Sequence, residues 1–353
     1  MANSMLAYRL TAWERPPEIV EVPIPSPGPG EVLVKVAGNG LCHSDIGMQS
    51  IPASFGPLIG WDMPFTLGHE IGGWVERLGE GVTGWTIGDP VVLVSMQSDG
   101  TCEFCLRGHD NACPTGTAGR GYGRDGGLAP FVVARANRDL IRLTSMDPAT
   151  AGPLTDAGAT SYHAVKRVLH KLTPGSHAVV IGAGGLGSFA VQFLRAMSAA
   201  TITAVDTNHA RREYASELGA HHTVEGVDAL TTGAIRDITH GLGADVVLDF
   251  VGIDATIAAG VSAVRTLGSF GLVGAGGGSL TQPLMGALPR GGEVFTFQGG
   301  CISDITDVIS LVESGLVRND IELFEFDRVH EAYEKMERGD LRGRAVVVPS
   351  PAG

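Results

Sequence analysis

No stretch of the chain approaches the roughly 18 to 20 consecutive apolar residues that a membrane-spanning helix needs, although 44% of its residues are apolar. The opening Met-Ala-Asn-Ser-Met-Leu-Ala lacks a cationic segment followed by an apolar core, so no secretory signal is visible. Cations are also short: 25 Lys and Arg against 38 Asp and Glu give a formal net charge of −13. Such a surface repels phosphate backbones and anionic lipid, which argues against nucleic-acid and membrane partners. Cysteines are few and odd in number, five in all, with three of them between Cys102 and Cys113. That clustering speaks against a disulfide scaffold and for metal ligation in a reducing compartment, so the expected location is the cytoplasm. Glycine is what the chain has in plenty, 51 of 353 residues, about twice the usual ~7%. With so large an apolar fraction, it implies many tight turns rather than disorder.

A chain of 353 residues is too long for one compact core and implies two domains. Residues 1–150 alternate short apolar runs with Gly and Pro, at Glu31 to Val36, Gly72 to Arg77, Pro90 to Ser95 and Ala129 to Val133, the pattern of short antiparallel strands. From Pro153 the rhythm becomes strand, helix, strand. Strands are expected at His177 to Gly182, Thr201 to Asp206, His222 to Glu225, Asp245 to Val251, Ser269 to Gly274 and Glu293 to Gln298. With helices between most of them, they make a doubly wound parallel sheet over residues 151–298. In the tail, residues 299–353, Ile305, Val308, Ile309 and Val312 mark a helix with Ser303 as N-cap and Gly315 as its stop. Val329, Tyr333 and Met336 form a second apolar stripe, read simply as core.

Three motifs carry chemistry. Gly182-Ala183-Gly184-Gly185-Leu186-Gly187 follows a buried strand and opens a helix, the context that a dinucleotide fingerprint requires. Gly182 allows the tight turn, Gly184 lets backbone approach a pyrophosphate, and Gly187 permits close helix packing. The phosphates then meet free amides at the helix N-terminus. Asp206, about twenty residues on, is placed to bind the ribose hydroxyls and reject a 2′-phosphate, which favours NAD over NADP. The second motif is dispersed: Cys42-His43-Ser44-Asp45, Gly68-His69-Glu70 and Leu154-Thr155-Asp156. A thiolate, an imidazole and a carboxylate suit a catalytic zinc whose fourth position stays open. Each alone is weak, since a lone Cys42 is usually a small hydrophobe and Asp156 could cap a helix.

Taken together, in that order and ahead of the glycine turn, these motifs resemble the zinc-dependent medium-chain alcohol dehydrogenase family. The resemblance runs from Pro27-Gly28-Pro29-Gly30-Glu31 to Arg342-Gly343-Arg344-Ala345-Val346. It is nearest to bacterial NAD-dependent secondary alcohol dehydrogenases and aryl carbonyl reductases, because Pro153-Leu154-Thr155-Asp156-Ala157-Gly158 puts an aspartate at the third ligand position. The family fold is α/β, a GroES-like β-rich catalytic domain plus a Rossmann domain, with the tail returning to the first domain and the active site in the cleft. The resemblance implies Cys42, His69 and Asp156 as zinc ligands, with Asp45 and Glu70 orienting them and tuning the metal. It implies Ser44 as the proton acceptor, Thr160 at the nicotinamide, Arg211 at the adenosine end, and His43 with Arg344 at the pyrophosphate. The lesser alternative for His43 is a second zinc ligand or a plain loop residue. Trp61, Phe65, Phe297 and Gln298 are the implied pocket lining. The family often completes its proton relay with a histidine five residues after the cysteine ligand; here that position is Gly47. Homodimers or homotetramers, joined through the last Rossmann strand, are the implied assembly.

The third motif, Asp99, Cys102, Cys105 and Cys113, keeps the three, three, eight spacing of the family's structural-zinc lobe with Asp99 in place of the first cysteine. A carboxylate is a permitted zinc ligand, so a Cys3Asp site is expected; the alternative is a metal-free lobe with loose thiols. Gly116 to Gly127 is read as a flexible connector, or else as a flap near the substrate mouth. Cys301 is read as inert. The expected activity is reversible hydride transfer between NAD(H) and an alcohol, ketone or aldehyde. Two rivals are a zinc-free quinone or enoyl reductase, which would lack the ligand set, and a nucleotide-binding sensor, which would not need Ser44.

Overall fold

The computed structural model describes residues 4–281 and 284–350. They form two compact units. One takes the chain up to Ala159, then Gly300–Gly315 and everything from Asn319; the other comprises Thr160–Gly299 with Leu316–Arg318.

In the first unit, Glu31–Gly40 is the central strand. It is apolar at Val32, Leu33, Val34 and Val36, all buried, because both faces of the strand are covered. It pairs antiparallel with Glu70–Leu78 and Phe131–Arg135. It also pairs with Arg344–Val348 from the far end of the chain, through Val346 opposite Gly40 and Val347 opposite Asn39. The return of the tail to this sheet is therefore a matter of backbone hydrogen bonding. Glu70 opens its strand beside Gly40, so the Gly68-His69-Glu70 corner lies next to the end of the central strand, from which Cys42 follows two residues later.

The second unit holds one six-stranded sheet, all parallel. Its order is His222–Glu225, Thr201–Asp206, His177–Ile181, Ala244–Asp249, Val264–Leu272 and Glu293–Thr296. The first strand in sequence is thus central, and the order reverses beside it, which puts the ligand crevice at its carboxyl end. Ala178, Val179, Val180 and Ile181 are buried because helices cover both faces of a parallel sheet.

The tail helix runs Ile302–Glu313 and is capped two residues earlier than expected. Cys301, not Ser303, is the N-cap, and its N–H donates to Asp304 at 2.9 Å. A carboxylate three residues into the helix wins because it reaches an orphan amide that Ser303, already inside the first turn, cannot. Among the described residues no helix is long and apolar enough to cross a membrane.

Candidate functional site

Cys42 is the N-cap of the short helix His43–Met48, His69 sits at the turn before strand Glu70–Leu78, and Asp156 lies between Gly152–Thr155 and helix Ala157–Val168. These separated segments bring Cys42, His69, Glu70 and Asp156 together, with one donor atom from each lying within 4.8 Å of the others. Cys42 Sγ is 3.6 Å from Asp156 Oδ2, and His69 Nε2 is 3.4 Å from that same oxygen. Bond lengths of zinc to sulfur, nitrogen and oxygen at a tetrahedral angle separate the ligand atoms by about 3.6 Å for S and O and about 3.4 Å for N and O. These two separations match those between ligands of a tetrahedral zinc.

The surroundings are built for a cation too. Asp45 is fully buried; its Oδ2 accepts the Cys42 N–H at 3.0 Å and the Tyr333 hydroxyl at 3.0 Å. Its Oδ1 faces His69 Nδ1 at 3.3 Å. Both of those atoms, with Glu70 Oε2, are buried without a hydrogen-bond partner. Burial would push the His69 imidazolium down, but Tyr122, Asp45 and Asp156 outweigh it and raise the group well above its ordinary pKa.

Glu70 is held by Arg344, whose Nη2 lies 2.6 Å from Oε1 and 2.7 Å from the Leu41 carbonyl. Burial raises the Glu70 carboxyl and Arg344 opposes that rise. Arg344 is itself buried, 5% exposed, and pairs with Glu70, while its Nε has no hydrogen-bond partner. His43 is exposed at the helix start, and Ser44 Oγ lies 2.9 Å from the Tyr122 hydroxyl.

The Gly116–Gly127 stretch departs from its reading as a flexible connector. Arg120, 3% exposed, is paired with Asp139 and bonds the Val133 carbonyl at 3.0 Å. The Thr117 carbonyl accepts the Trp61 indole N–H at 2.7 Å. Tyr122, in the middle, places its ring centroid 4.5 Å from that of His69 and its hydroxyl 3.2 Å from Nε2. Neither Tyr122 nor Tyr333 was singled out from the sequence. The available signal was general: a tyrosine among apolar or glycine neighbours still needs a partner for its hydroxyl. Of the expected pocket lining, Phe65 is corrected. It is 1% exposed and packs edge-on behind Trp61 at 5.8 Å, because it belongs to the core around Leu10, Leu41 and Leu67. Phe297 and Gln298, in the second unit, are half-buried and exposed.

In the second cluster Cys102 Sγ and Cys113 Sγ are 3.8 Å apart, too far for a disulfide and equal to the ~3.8 Å between two tetrahedral zinc thiolates. Asp99 joins Cys102, Cys105 and Cys113 in a four-donor group. Its Oδ1 accepts the Thr101 and Cys102 amides at 2.7 and 2.8 Å, and these amides hold its carboxyl well below the usual range. Asp110 is paired with Arg138 and accepts the Ile302 N–H, so it is already engaged.

In the parallel sheet, Gly182 has φ +84°, and a Cβ on Gly187 would stand 1.8 Å from the Gly182 carbonyl oxygen, so only glycine lets the helix Gly187–Met197 approach. A Cβ on Gly184 would meet nothing nearer than the Arg211 guanidinium at 3.8 Å, which leaves the room an approaching phosphate needs. Asp206 Oδ2 accepts the Ala183 N–H and Oδ1 the Asn208 N–H, both at 2.8 Å, so the carboxylate that ends the second strand also fixes the glycine turn. The Leu186 carbonyl accepts the Ser161 hydroxyl at 2.8 Å, and Gly185 O the Ser188 hydroxyl at 3.3 Å. Thr160 is buried in helix Ala157–Val168.

A β-rich unit that gathers Cys42, His69, Glu70 and Asp156, and a second unit whose parallel sheet carries a dinucleotide turn, are the two parts of a metal-dependent dehydrogenase. Residues 28–145 match the family model of the alcohol dehydrogenase GroES-like domain, and residues 185–314 that of zinc-binding dehydrogenases. The chain is 33% identical to an NAD-dependent alcohol dehydrogenase of Sulfurisphaera tokodaii, covering 98% of this chain and all of that one. It is 31% identical to a D-arabinose 1-dehydrogenase (NADP(+)) of Saccharolobus solfataricus, covering 97% of each. It also resembles the structure of acetophenone reductase from Geotrichum candidum in complex with NAD, with TM-score 0.86 and 30% identity over 99% of this chain and 98% of that one. The chain belongs to the zinc-dependent medium-chain alcohol dehydrogenase family, and is an oxidoreductase that interconverts alcohols and carbonyl compounds.

Proposed function

We propose that the chain oxidises secondary or aryl alcohols, and reduces the matching ketones or aldehydes, with NAD(H) as partner and zinc held by Cys42, His69 and Asp156. The observation that carries this reading is the pair of separations, 3.6 and 3.4 Å, from Cys42 Sγ and His69 Nε2 to one Asp156 oxygen. When bound, zinc supplies a Lewis acid that favours loss of the alcohol proton, and NAD accepts the hydride. Asp45 fixes the imidazole, since an Nδ1 proton directed toward its carboxylate leaves Nε2 free as a ligand. Ser44 takes up the alcohol proton. Glu70, neutralised in part by Arg344, keeps a second carboxylate beside the donors without flooding the site with negative charge. Asp206 bonds the ribose hydroxyls of the cofactor, with Arg211 beside it over Gly184.

Asp99, Cys102, Cys105 and Cys113 hold a second, structural zinc in this reading. Subunits associate through the edge strand Glu293–Thr296, where Val294 is 43% exposed; light scattering on the purified protein reads the oligomer directly. The test of function is a steady-state NADH assay over secondary, aryl and primary alcohols together with aldoses, with metal analysis alongside. NAD should be preferred, and Asp206→Gly should shift that preference toward NADP. Higher catalytic efficiency of the wild type with NADP than with NAD would sink the cofactor reading, and no turnover of any alcohol by zinc-replete protein would sink the activity.

A further inference from the structure

Tyr122 is a polar group at the metal cluster that the chemistry above leaves unused. It stands between Gly121 and Gly123, whose φ values are +72° and +75°. Its hydroxyl has two neighbours, Ser44 Oγ at 2.9 Å and His69 Nε2 at 3.2 Å. Its ring lies between the His69 imidazole at 4.5 Å and the Trp61 indole at 5.7 Å. The loop leading into it is pinned twice, by the buried Arg120–Asp139 pair and by the Trp61 bond to the Thr117 carbonyl.

His69 Nε2 is also the nitrogen that faces Asp156. Once that nitrogen is committed to a cation, it has neither a lone pair nor a proton to offer a phenol. The Tyr122 hydroxyl then keeps Ser44 and has one hydrogen bond left to make. A buried donor without an acceptor costs about 1–3 kcal/mol, so the arrangement calls for an oxygen at that point. Ser44 is the group assigned to receive the substrate's proton, and the oxygen within reach of both hydroxyls is the substrate's own.

We propose that Tyr122 is a catalytic residue of this chain: side by side with Ser44, its hydroxyl donates a hydrogen bond to the alcohol or carbonyl oxygen of the substrate, while its ring and Trp61 form an apolar wall for the substrate's carbon skeleton. The proposal rests on the dehydrogenase reading above. It also gives Ser44 a polar neighbour. Because a hydrogen bond strengthens as its acceptor gains charge, the effect belongs in kcat more than in KM.

The test uses purified, zinc-replete protein, wild type and Tyr122→Phe, with the alcohol that the wild type turns over fastest. Tyr122→Phe should keep its zinc and its melting temperature and lose about 10- to 100-fold in kcat/KM, mostly through kcat. A readout without turnover is the binding of benzamide in the presence of NADH, followed by cofactor fluorescence, since an amide carbonyl resembles a ketone but resists hydride. Its affinity should fall about 10-fold in Tyr122→Phe. Unchanged kcat/KM and unchanged benzamide affinity, beside an active wild type, would overturn the proposal. So would loss of the catalytic zinc from Tyr122→Phe, which would make the phenol a metal ligand. Should the Phe protein not fold, Tyr122→Leu, which fills less space, carries the same readouts. An inactive wild type would instead refute the dehydrogenase reading, so the two failures are distinct.

Discussion

The two donor clusters differ in how the chain assembles them. The lobe cluster is local: Asp99, Cys102, Cys105 and Cys113 fall within fifteen residues, and backbone amides dress its donors, with Asp99 N 3.4 Å from Cys113 Sγ and Cys105 N 3.5 Å from Cys102 Sγ. The other cluster gathers Cys42, His69 and Asp156 from across 115 residues and surrounds them with Asp45, Glu70, Tyr122 and Tyr333. Four donors of the lobe close a coordination sphere; in the dispersed set Glu70 is paired with Arg344, and ligation by Cys42, His69 and Asp156 leaves a position for a substrate. The local cluster should therefore govern stability and the dispersed one turnover. The comparison breaks if either does the other's work.

The sharpest break comes from the dispersed cluster. Cys42→Ala and His69→Ala should lower zinc from two equivalents per subunit to one and abolish turnover. NADH should still bind, because its site is built on the other unit. Metal analysis, the NADH assay and cofactor fluorescence read these in one preparation. A zinc-free Cys42→Ala protein with full activity would end the assignment.

The next effect concerns the ion-pair strap between the clusters. Asp139, 1% exposed, pairs with Arg120 of the Tyr122 loop and with Arg135, and Gln97 beside the lobe approaches it at 3.5 Å. Burial would raise the Asp139 carboxyl, but Arg120 and then Arg135 hold it down at about 2. A depressed carboxylate stabilises the fold fully above its unfolded pKa of about 3.9, and the contribution is lost as pH falls toward about 2. The shift corresponds to roughly 2 kcal/mol. Asp139→Asn goes further by leaving Arg120 buried without its anion, at a cost of about 3–5 kcal/mol near neutral pH. Urea unfolding at pH 7 and pH 3 should show the wild type losing stability between them and Asp139→Asn losing less. Equal acid sensitivity in the two proteins would remove Asp139 from the account.

The sequence made the glycine turn, the six strands of the parallel sheet and the grouping of both donor sets legible because each depends on residue type in a local pattern. Gly187 has to be glycine for its helix to pack, and Asp206 ends a short, mostly apolar run of the kind a buried parallel strand requires. What stayed hidden depends on contacts between distant segments. Tyr333 read as one more apolar position in a stripe, yet its hydroxyl meets Asp45 from 288 residues away. Tyr122 was masked by glycines whose composition suggests looseness, while the order there comes from Arg120 and its partner Asp139. Phe65 illustrates the reverse error: a side chain assigned to a pocket by analogy was taken by the core, which offered it complete burial. Arg344 was assigned to a cofactor, and the sequence did not show that its side chain also pairs with Glu70 from across the central strand.

The smallest expected effect separates the lobe from catalysis. Asp99 contributes one hard oxygen among three soft sulfurs, so its zinc should leave sooner to a chelator than zinc held by four thiolates. Asp99→Cys should slow that release and raise the melting temperature by a few degrees, since metal affinity is folding energy in such a lobe. Part of the gain is offset, because the carboxylate also accepts the Thr101 and Cys102 amides, bonds that a thiol replaces poorly. Asp99→Ala loses both the ligand and those turn bonds and should do the reverse. Neither substitution should move kcat by more than about twofold, the scale of a change with no direct reach into the reaction. Zinc release to a chromogenic chelator, a melting curve and the NADH assay read all three quantities. One zinc equivalent in wild-type protein, with Cys102, Cys105 and Cys113 freely titratable by a thiol reagent, would show that the lobe holds its shape without metal, and the contrast between the clusters would then rest on the catalytic one alone.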